Sequence, residues 1–217
     1  RRADHIITIS HTTKFDLTRE YGLPSEKIMV SYPGVDTIFS PVGEKYVGPN
    51  PYFLFVGSLT KTKDIPTLLR VFKAGMTNQP HDLYLIGGDY WPDSEIEETI
   101  EKLHLSDCVK KLGVVPDAEL PKYYRGALAF VTTALQEGFC LPAAEAMACG
   151  TPVVALPQGA LREIVGKGGI ITTKLEEGMR KMMDKNIRLE FSKKAIMQAK
   201  KFRWEAFARQ ILRCMKT

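Results

Sequence analysis

The stretch Glu137-Gly138-Phe139-Cys140-Leu141-Pro142-Ala143-Ala144-Glu145-Ala146-Met147-Ala148-Cys149-Gly150-Thr151-Pro152-Val153-Val154-Ala155-Leu156 reads as loop, helix, turn and buried strand. Gly138 loosens the backbone, and Pro142 falls where a first helical turn tolerates a missing N–H. Ala143 to Cys149 are small helix formers suited to close packing on a sheet, and Gly150 suits the C′ position. Pro152 opens a short apolar run, Val153 to Leu156, of the kind buried on both faces of a parallel sheet. The helix is therefore expected to begin at the lip of that sheet. The free N–H groups of its first turn and the positive end of its dipole favour an anion such as phosphate. Glu137 lies just ahead of that terminus and Glu145 about one turn in, roughly 5 Å along the axis. Carboxylates accept hydrogen bonds from paired hydroxyls, so two of them flanking an anion hole suit a phosphate with sugars on either side. A nucleotide sugar has that shape.

The same string resembles the E-x7-E signature of retaining glycosyltransferases of the family-4 group, which have two Rossmann-like domains in the GT-B arrangement. The two glutamates, Gly138-Phe139, Leu141-Pro142 and the run Ala146 to Val154 all stand in place. The resemblance implies an α/β fold with a doubly wound, Rossmann-like parallel sheet, as the C-terminal, donor-binding half of such an enzyme. It also implies roles. Glu137 and the backbone at Phe139 and Cys140 would hold the donor sugar, Leu141 and the helix terminus the phosphate, and Glu145 the ribose hydroxyls. Cys140 stands where the family often has Gly, which narrows the sugar pocket or shifts its backbone.

Upstream, the pattern from Pro51 alternates strand and helix as a doubly wound domain requires. Tyr52 to Val56 is an expected buried strand ending at Gly57-Ser58, with a helix from Ile65 to Ala74. Lys61 and Lys63 lie in the intervening loop at the carboxyl edge of the sheet, where such folds bind ligands and where ammonium groups neutralise a diphosphate. The resemblance places Gly57, Ser58 and Lys63 against the diphosphate. Lys63 matches the family's lysine; Ser58 replaces a frequent arginine, removing a bidentate donor for which Lys61 is a partial substitute. Asp64 stands where Gly or Asn is common. Leu83 to Ile86 and Val109 to Val115 are further expected strands, the backbone at Gly113-Val114-Val115 matching the family's base contacts. Ser94 and Glu97 form a capping box after the loop Asp89-Tyr90-Trp91-Pro92, and Asp117 is an expected cap for the helix carrying Leu120, Tyr123 and Tyr124. Leu128 to Thr132 is the strand that delivers Glu137, with Thr133-Ala134 in place of a more familiar Pro-Ser.

Downstream, residues 158–164 resemble the family's short segment containing a glutamate, here Glu163. Gly168 to Thr172 is an expected short strand. Amphipathic stretches follow at Leu175 to Met183, Ile187 to Lys201 and Trp204 to Met215. Phe202-Arg203-Trp204-Glu205 resembles a Phe-Ser-Trp-Glu after which the family's last helix crosses to the other domain. At the other end, Asp4 to Ser10 and Pro33-Gly34-Val35-Asp36 resemble the last elements of the acceptor-side domain. The expected organisation is thus residues 1–36 as the remnant of an N-terminal domain, 37–50 as linker, 51–200 as the nucleotide-sugar domain and 201–217 as the crossing helix. Most of a domain is expected to precede residue 1, and these 217 residues to bind nucleotide without turnover.

Composition agrees without deciding. With 44% hydrophobic and 25% charged residues the chain is ordinary for a soluble globular protein. No apolar run approaches the ~20 residues needed to cross a bilayer. Cys108, Cys140, Cys149 and Cys214 form no metal spacing, so a reducing, cytoplasmic setting is the simpler inference. The net charge of +5 concentrates in residues 174–217, which suits a peripheral membrane patch or, more plainly, a solvated helical face. No RNP-like or zinc-finger pattern supports nucleic-acid binding. His5, His11, His81 and His104 are scattered, and no Asp-x-Asp stands at a strand end, so metal-free stabilisation of the leaving group is expected, with no cofactor beyond the UDP- or GDP-sugar substrate. The expected reaction moves a hexose, mannose among the candidates, to a glycan or lipid-linked acceptor in polysaccharide synthesis. Two glutamates also suit a glycosidase, but Glu145 lies within the helix beside the anion site, a place for binding hydroxyls more than for proton transfer. An inactive binding or assembly domain stays open on Ser58 and Cys140, as does a phosphorylase or sucrose-type enzyme of similar fold.

Overall fold

The structure, a computed structural model, describes residues 3–75, 79–89 and 94–215. Two parallel sheets organise it. The first pairs β1 (Ile6–Thr8) with β2 (Ile28–Val30), joined by α1 (His11–Tyr21). Ser10 caps α1 by accepting from the Thr13 N–H, and Gly22 ends it in the left-handed region at φ 62°.

The main sheet has six strands in chain order β3 (Tyr52–Val56), β4 (Asp82–Ile86), β5 (Val109–Gly113), β6 (Phe130–Thr132), β7 (Val153–Ala155) and β8 (Gly169–Ile171). Between them run α2 (Ile65–Gly75), α3 (Ser94–Lys102), α4 (Leu120–Gly126), α5 (Leu141–Ala148) and α6 (Leu161–Val165), followed by α7 (Leu175–Met183), α8 (Lys185–Ala199) and α9 (Trp204–Cys214). The spatial order is β5-β4-β3-β6-β7-β8, every pair parallel. This is the doubly wound order, and its winding reverses between β3 and β6.

Strand alternation sorts the core into two layers. Tyr52, Leu54, Tyr84, Ile86, Phe130 and Val153 face α4, α5, α6 and α8. Phe53, Phe55, Leu83, Leu85, Val131 and Val154 face α2, α3 and α7. The alanines of α5, all but Ala148 fully buried, let that helix lie close on the first layer. Where the ends of β3 and β4 converge only glycine fits, since a Cβ on Gly87, φ 147°, would sit 1.9 Å from the Gly57 carbonyl oxygen.

Two local expectations change, and a third falls partly outside the described residues. β5 stops at Gly113, whose positive φ of 66° turns the chain and leaves Val114 exposed while Val115 rests on the core. Asp117 does not cap α4: the Glu119 and Leu120 N–H groups are taken by the Pro116 carbonyl, so the turn needs no side-chain cap. The Ser94–Glu97 box and the loop at 89–92 lie in part outside the described residues; Glu97 pairs with Lys111 of β5. Among the described residues no helix is long and apolar enough to cross a membrane.

Candidate functional site at the sheet's switch point

Loops leaving the carboxyl ends of β3 and β6 meet where the winding reverses, the crevice in which open α/β sheets bind ligands. From β3 the chain passes Gly57 and Ser58 and tightens into a 3-10 turn, Lys61–Lys63. Asp64 then enters the left-handed region at φ 48°, which explains why Gly or Asn suits that position. From β6 the chain passes Thr133 and reaches Glu137. The two loops are laced together: Thr133 donates its hydroxyl to the carbonyls of Lys63 and Asp64 at 3.0 and 2.8 Å, and the Leu135 N–H donates to Thr62 at 2.9 Å.

That lacing places the Lys63 Nζ 2.6 Å from Glu137 Oε1, both side chains largely sheltered, at 24% and 12% exposure. An ammonium has three N–H groups, so one bond to Glu137 leaves two for phosphate oxygens. Lys61 is exposed at the start of the same turn. The residues expected to hold the donor sugar and the departing diphosphate thus touch each other, although 74 positions separate them in the chain.

Beyond Glu137 the chain enters α5 through Cys140, which adopts φ 71°. A left-handed conformation is natural for the glycine frequent here and costs another residue about 1 kcal/mol or more. The cysteine is buried, and burial together with the nearby Glu137 charge pushes its thiol well above the ordinary range. Phe139 turns its ring into the core against Tyr32 and Phe202. Leu141 opens α5, half exposed, with Pro142 next; the Ala143 and Ala144 N–H groups reach back to the Cys140 carbonyl.

Glu145, one turn into α5, meets different company. Its Oε2 accepts a 2.9 Å hydrogen bond from the hydroxyl of Tyr124, a fully buried side chain of α4. Burial pushes the Glu145 carboxyl up to about 7 despite that bond, and the Asp117 charge adds to the rise. Tyr124 is in turn fixed by Thr151, whose hydroxyl donates to the Tyr124 carbonyl at 2.5 Å.

Thr133, Tyr124 and Glu163 escaped the reading as parts of the site. Thr133 and Tyr124 carry no local signal, because their partners lie on other elements, the turn after β3 and helix α5. Glu163 did lie within a family segment, yet nothing near it in sequence shows what its carboxylate binds.

A doubly wound sheet with a lysine, a carboxylate and a helix mouth at its switch point places the chain among Rossmann-like α/β proteins. The family is narrower: glycosyl transferases group 1 match residues 42–202, well over half of the chain, and the chain belongs to that family. Residues 1–39 match glycosyltransferase family 4. Among relatives, O-antigen chain mannosyltransferase B of Escherichia coli is 28% identical over 228 residues, covering 97% of this chain and 60% of its own. An MMP alpha-(1->4)-mannosyltransferase of Mycolicibacterium hassiacum is 31% identical over 170 residues, covering 78% of this chain and 41% of its own. The chain thus spans some 60% or less of the length of these relatives. Among solved structures, a sucrose-phosphate synthase of Thermosynechococcus elongatus superposes with a TM-score of 0.89 at 26% identity, over 99% of this chain and 58% of that one. Anabaena HepE in complex with UDP-glucose gives 0.84 at 21% identity, over 100% and 64%, a likeness of fold.

Proposed function

We propose that this chain is the donor-binding part of a retaining, metal-free glycosyltransferase that takes a hexose from a UDP- or GDP-sugar and passes it to a glycan or lipid-linked acceptor. Mannose is the hexose the relatives favour, two of them being mannosyltransferases of O-antigen chains. The observation that carries the reading is the Lys63–Glu137 pair at the mouth of α5. Breaking the bond from the anomeric carbon to the phosphate oxygen builds charge on the departing diphosphate. The free N–H groups of Lys63, the exposed Lys61, the Ser58 hydroxyl and the α5 terminus at Leu141 stabilise that charge. Glu137 orients the sugar, Glu145 takes the ribose hydroxyls, and the backbone at Val115 lies along the base. The acceptor oxygen attacks from the face the diphosphate leaves. On this reading the 217 residues bind donor without transferring it.

Calorimetric titration of UDP, GDP and ADP tests this. Binding of UDP or GDP by the chain, lost in Lys63→Met, is the expected result. Binding of none of the three, or full transfer by these residues alone, overturns the respective half of the proposal.

A further inference from the structure

The sheet of β1 and β2 with α1 forms a unit of its own, and it meets the rest of the chain close to the donor loop. Gly138 lies under Ile9 and Thr13, where a Cβ would come 3.5 Å from the Ile9 side chain. The Tyr32 ring packs on Phe139 and Phe202. The strongest polar joint between the two parts is a single carboxylate, that of Glu163 in the first turn of α6. Its Oε1 accepts from the His11 N–H at 2.8 Å and the Tyr32 hydroxyl at 2.6 Å. Its Oε2 accepts from the N–H and hydroxyl of Thr12, both at 3.2 Å. Four donors converge on it, three of them from the first two residues of α1, two being backbone N–H groups at a helix start that favours negative charge. Burial resists its ionisation, but the bonds from Tyr32, His11 and Thr12 prevail and hold the carboxyl below its ordinary range.

The segment that carries Glu163 has a second attachment. Three residues earlier, the Ala160 N–H donates to the Glu137 carbonyl at 2.8 Å. Gly159, at φ 52°, lies so close that a Cβ would fall 2.3 Å from that same oxygen and 2.6 Å from the Glu137 nitrogen. From Ala160 to Glu163 is one helical turn, about 5 Å of stiff backbone. Gln198 of α8 braces its far end by donating to the Ile164 carbonyl at 2.9 Å.

We propose that Glu163 is a positioning residue: it ties the unit of residues 6–35 to the backbone of Glu137, so that the placement of that unit is transmitted to the carboxylate that orients the donor sugar. The functional half of this rests on the role proposed above for Glu137; the mechanical half does not. A tie of this kind makes the sugar-holding loop sensitive to the neighbouring unit while leaving the lysines of the turn after β3, Lys61 and Lys63, in place for the diphosphate. Its signature is a selective loss of the extra affinity that a nucleotide sugar has over the bare nucleotide.

The test uses the full chain with Glu163→Ala, Glu163→Gln and Tyr32→Phe, and with Ser10→Ala as a control that removes a different cap of the same helix. Amide hydrogen exchange is expected to quicken in Glu163→Ala both at His11 to Thr13 and at Glu137 to Leu141, with smaller changes of the same pattern in Glu163→Gln and least in Tyr32→Phe. Ser10→Ala should quicken exchange in α1 only. In parallel, the affinity ratio of UDP-glucose or GDP-mannose to the matching nucleotide should fall about tenfold in Glu163→Ala, the scale at which a misplaced positioning group is felt, with bare nucleotide binding unchanged. Exchange that quickens in α1 while Glu137 to Leu141 stay as protected as before overturns the proposal, as does an equal loss of nucleotide and nucleotide-sugar affinity. If the wild-type chain binds no nucleotide, the donor reading falls and the exchange pattern decides the coupling by itself. Tyr32→Phe removes one donor of four and keeps the ring packing, so it reads out even if Glu163→Ala does not fold.

Discussion

Glu137 and Glu145 stand eight residues apart in one motif and meet opposite surroundings. Glu137 sits on a loop braced by Thr133, Ala160 and Gly159, and its carboxylate pairs with the Lys63 ammonium. Glu145 sits on a helix turn, buried, and its partner is the neutral hydroxyl of Tyr124. One carboxylate faces a cation; the other is held in place while its charge is made costly. The contrast suits two tasks, orienting a sugar beside a leaving diphosphate and receiving hydroxyl donors, and it gives the two residues separable signatures.

On the proposed function, the largest expected effect is on sugar transfer. Glu137→Gln or Lys63→Met should each lower kcat/KM by about 10²–10³, because each removes a group aimed at charge that develops in the transition state. The Lys63 variant should lose nucleotide affinity as well, and the Glu137 variant should not. Steady-state kinetics beside calorimetry reads the split, and equal affinity losses in both would erase the distinction.

Glu145 should show itself next, through pH. Its folded value of about 7 lies above the ordinary 4.5, so between these the folded state keeps a proton that the unfolded chain has released. Stability from this group is therefore lost as pH rises through that window. Glu145→Gln should flatten the dependence in thermal melts. Nucleotide affinity should run the other way, rising between about pH 6 and about pH 8 as the carboxylate forms to accept ribose hydroxyls. Tyr124→Phe should shift that rise to higher pH, since it removes the bond that favours the charged form. A flat affinity profile in the wild-type chain would contradict the role.

The smallest effect concerns the loop between them. Cys140→Gly relieves the left-handed strain but loses a buried thiol, whereas Cys140→Ala loses the thiol and keeps the strain. The glycine variant should be the more stable of the two by about 1 kcal/mol in denaturant melts. The reverse order would show that the loop is not strained there.

Much of this arrangement was legible from residues 137–156 and the alternation upstream, because strands buried on both faces and a small-residue helix leave a local signature in hydrophobicity and volume. Gly150 as the residue after α5 and Gly22 after α1 follow from the positive φ that glycine accepts. The turn before α4 was misread because a backbone carbonyl, that of Pro116, satisfies N–H groups for which a side-chain cap looked necessary. Tyr124, Thr133 and Glu163 lay beyond reach for another reason. Each acts on a partner 21 or more residues away, and only the tertiary fold brings the partners together: β3 beside β6 for Thr133, α4 on α5 for Tyr124, and the β1–α1–β2 unit against α6 for Glu163.

The central claim is that the donor seats at the mouth of α5 between the two glutamates. The most direct measurement is a crystal structure of the chain soaked with the nucleotide that binds in titration. The account predicts a diphosphate oxygen within hydrogen-bond distance of the Lys63 ammonium and the Leu141 N–H, with the ribose against Glu145. A nucleotide seated elsewhere, with the Lys63–Glu137 pair facing only solvent, would contradict it.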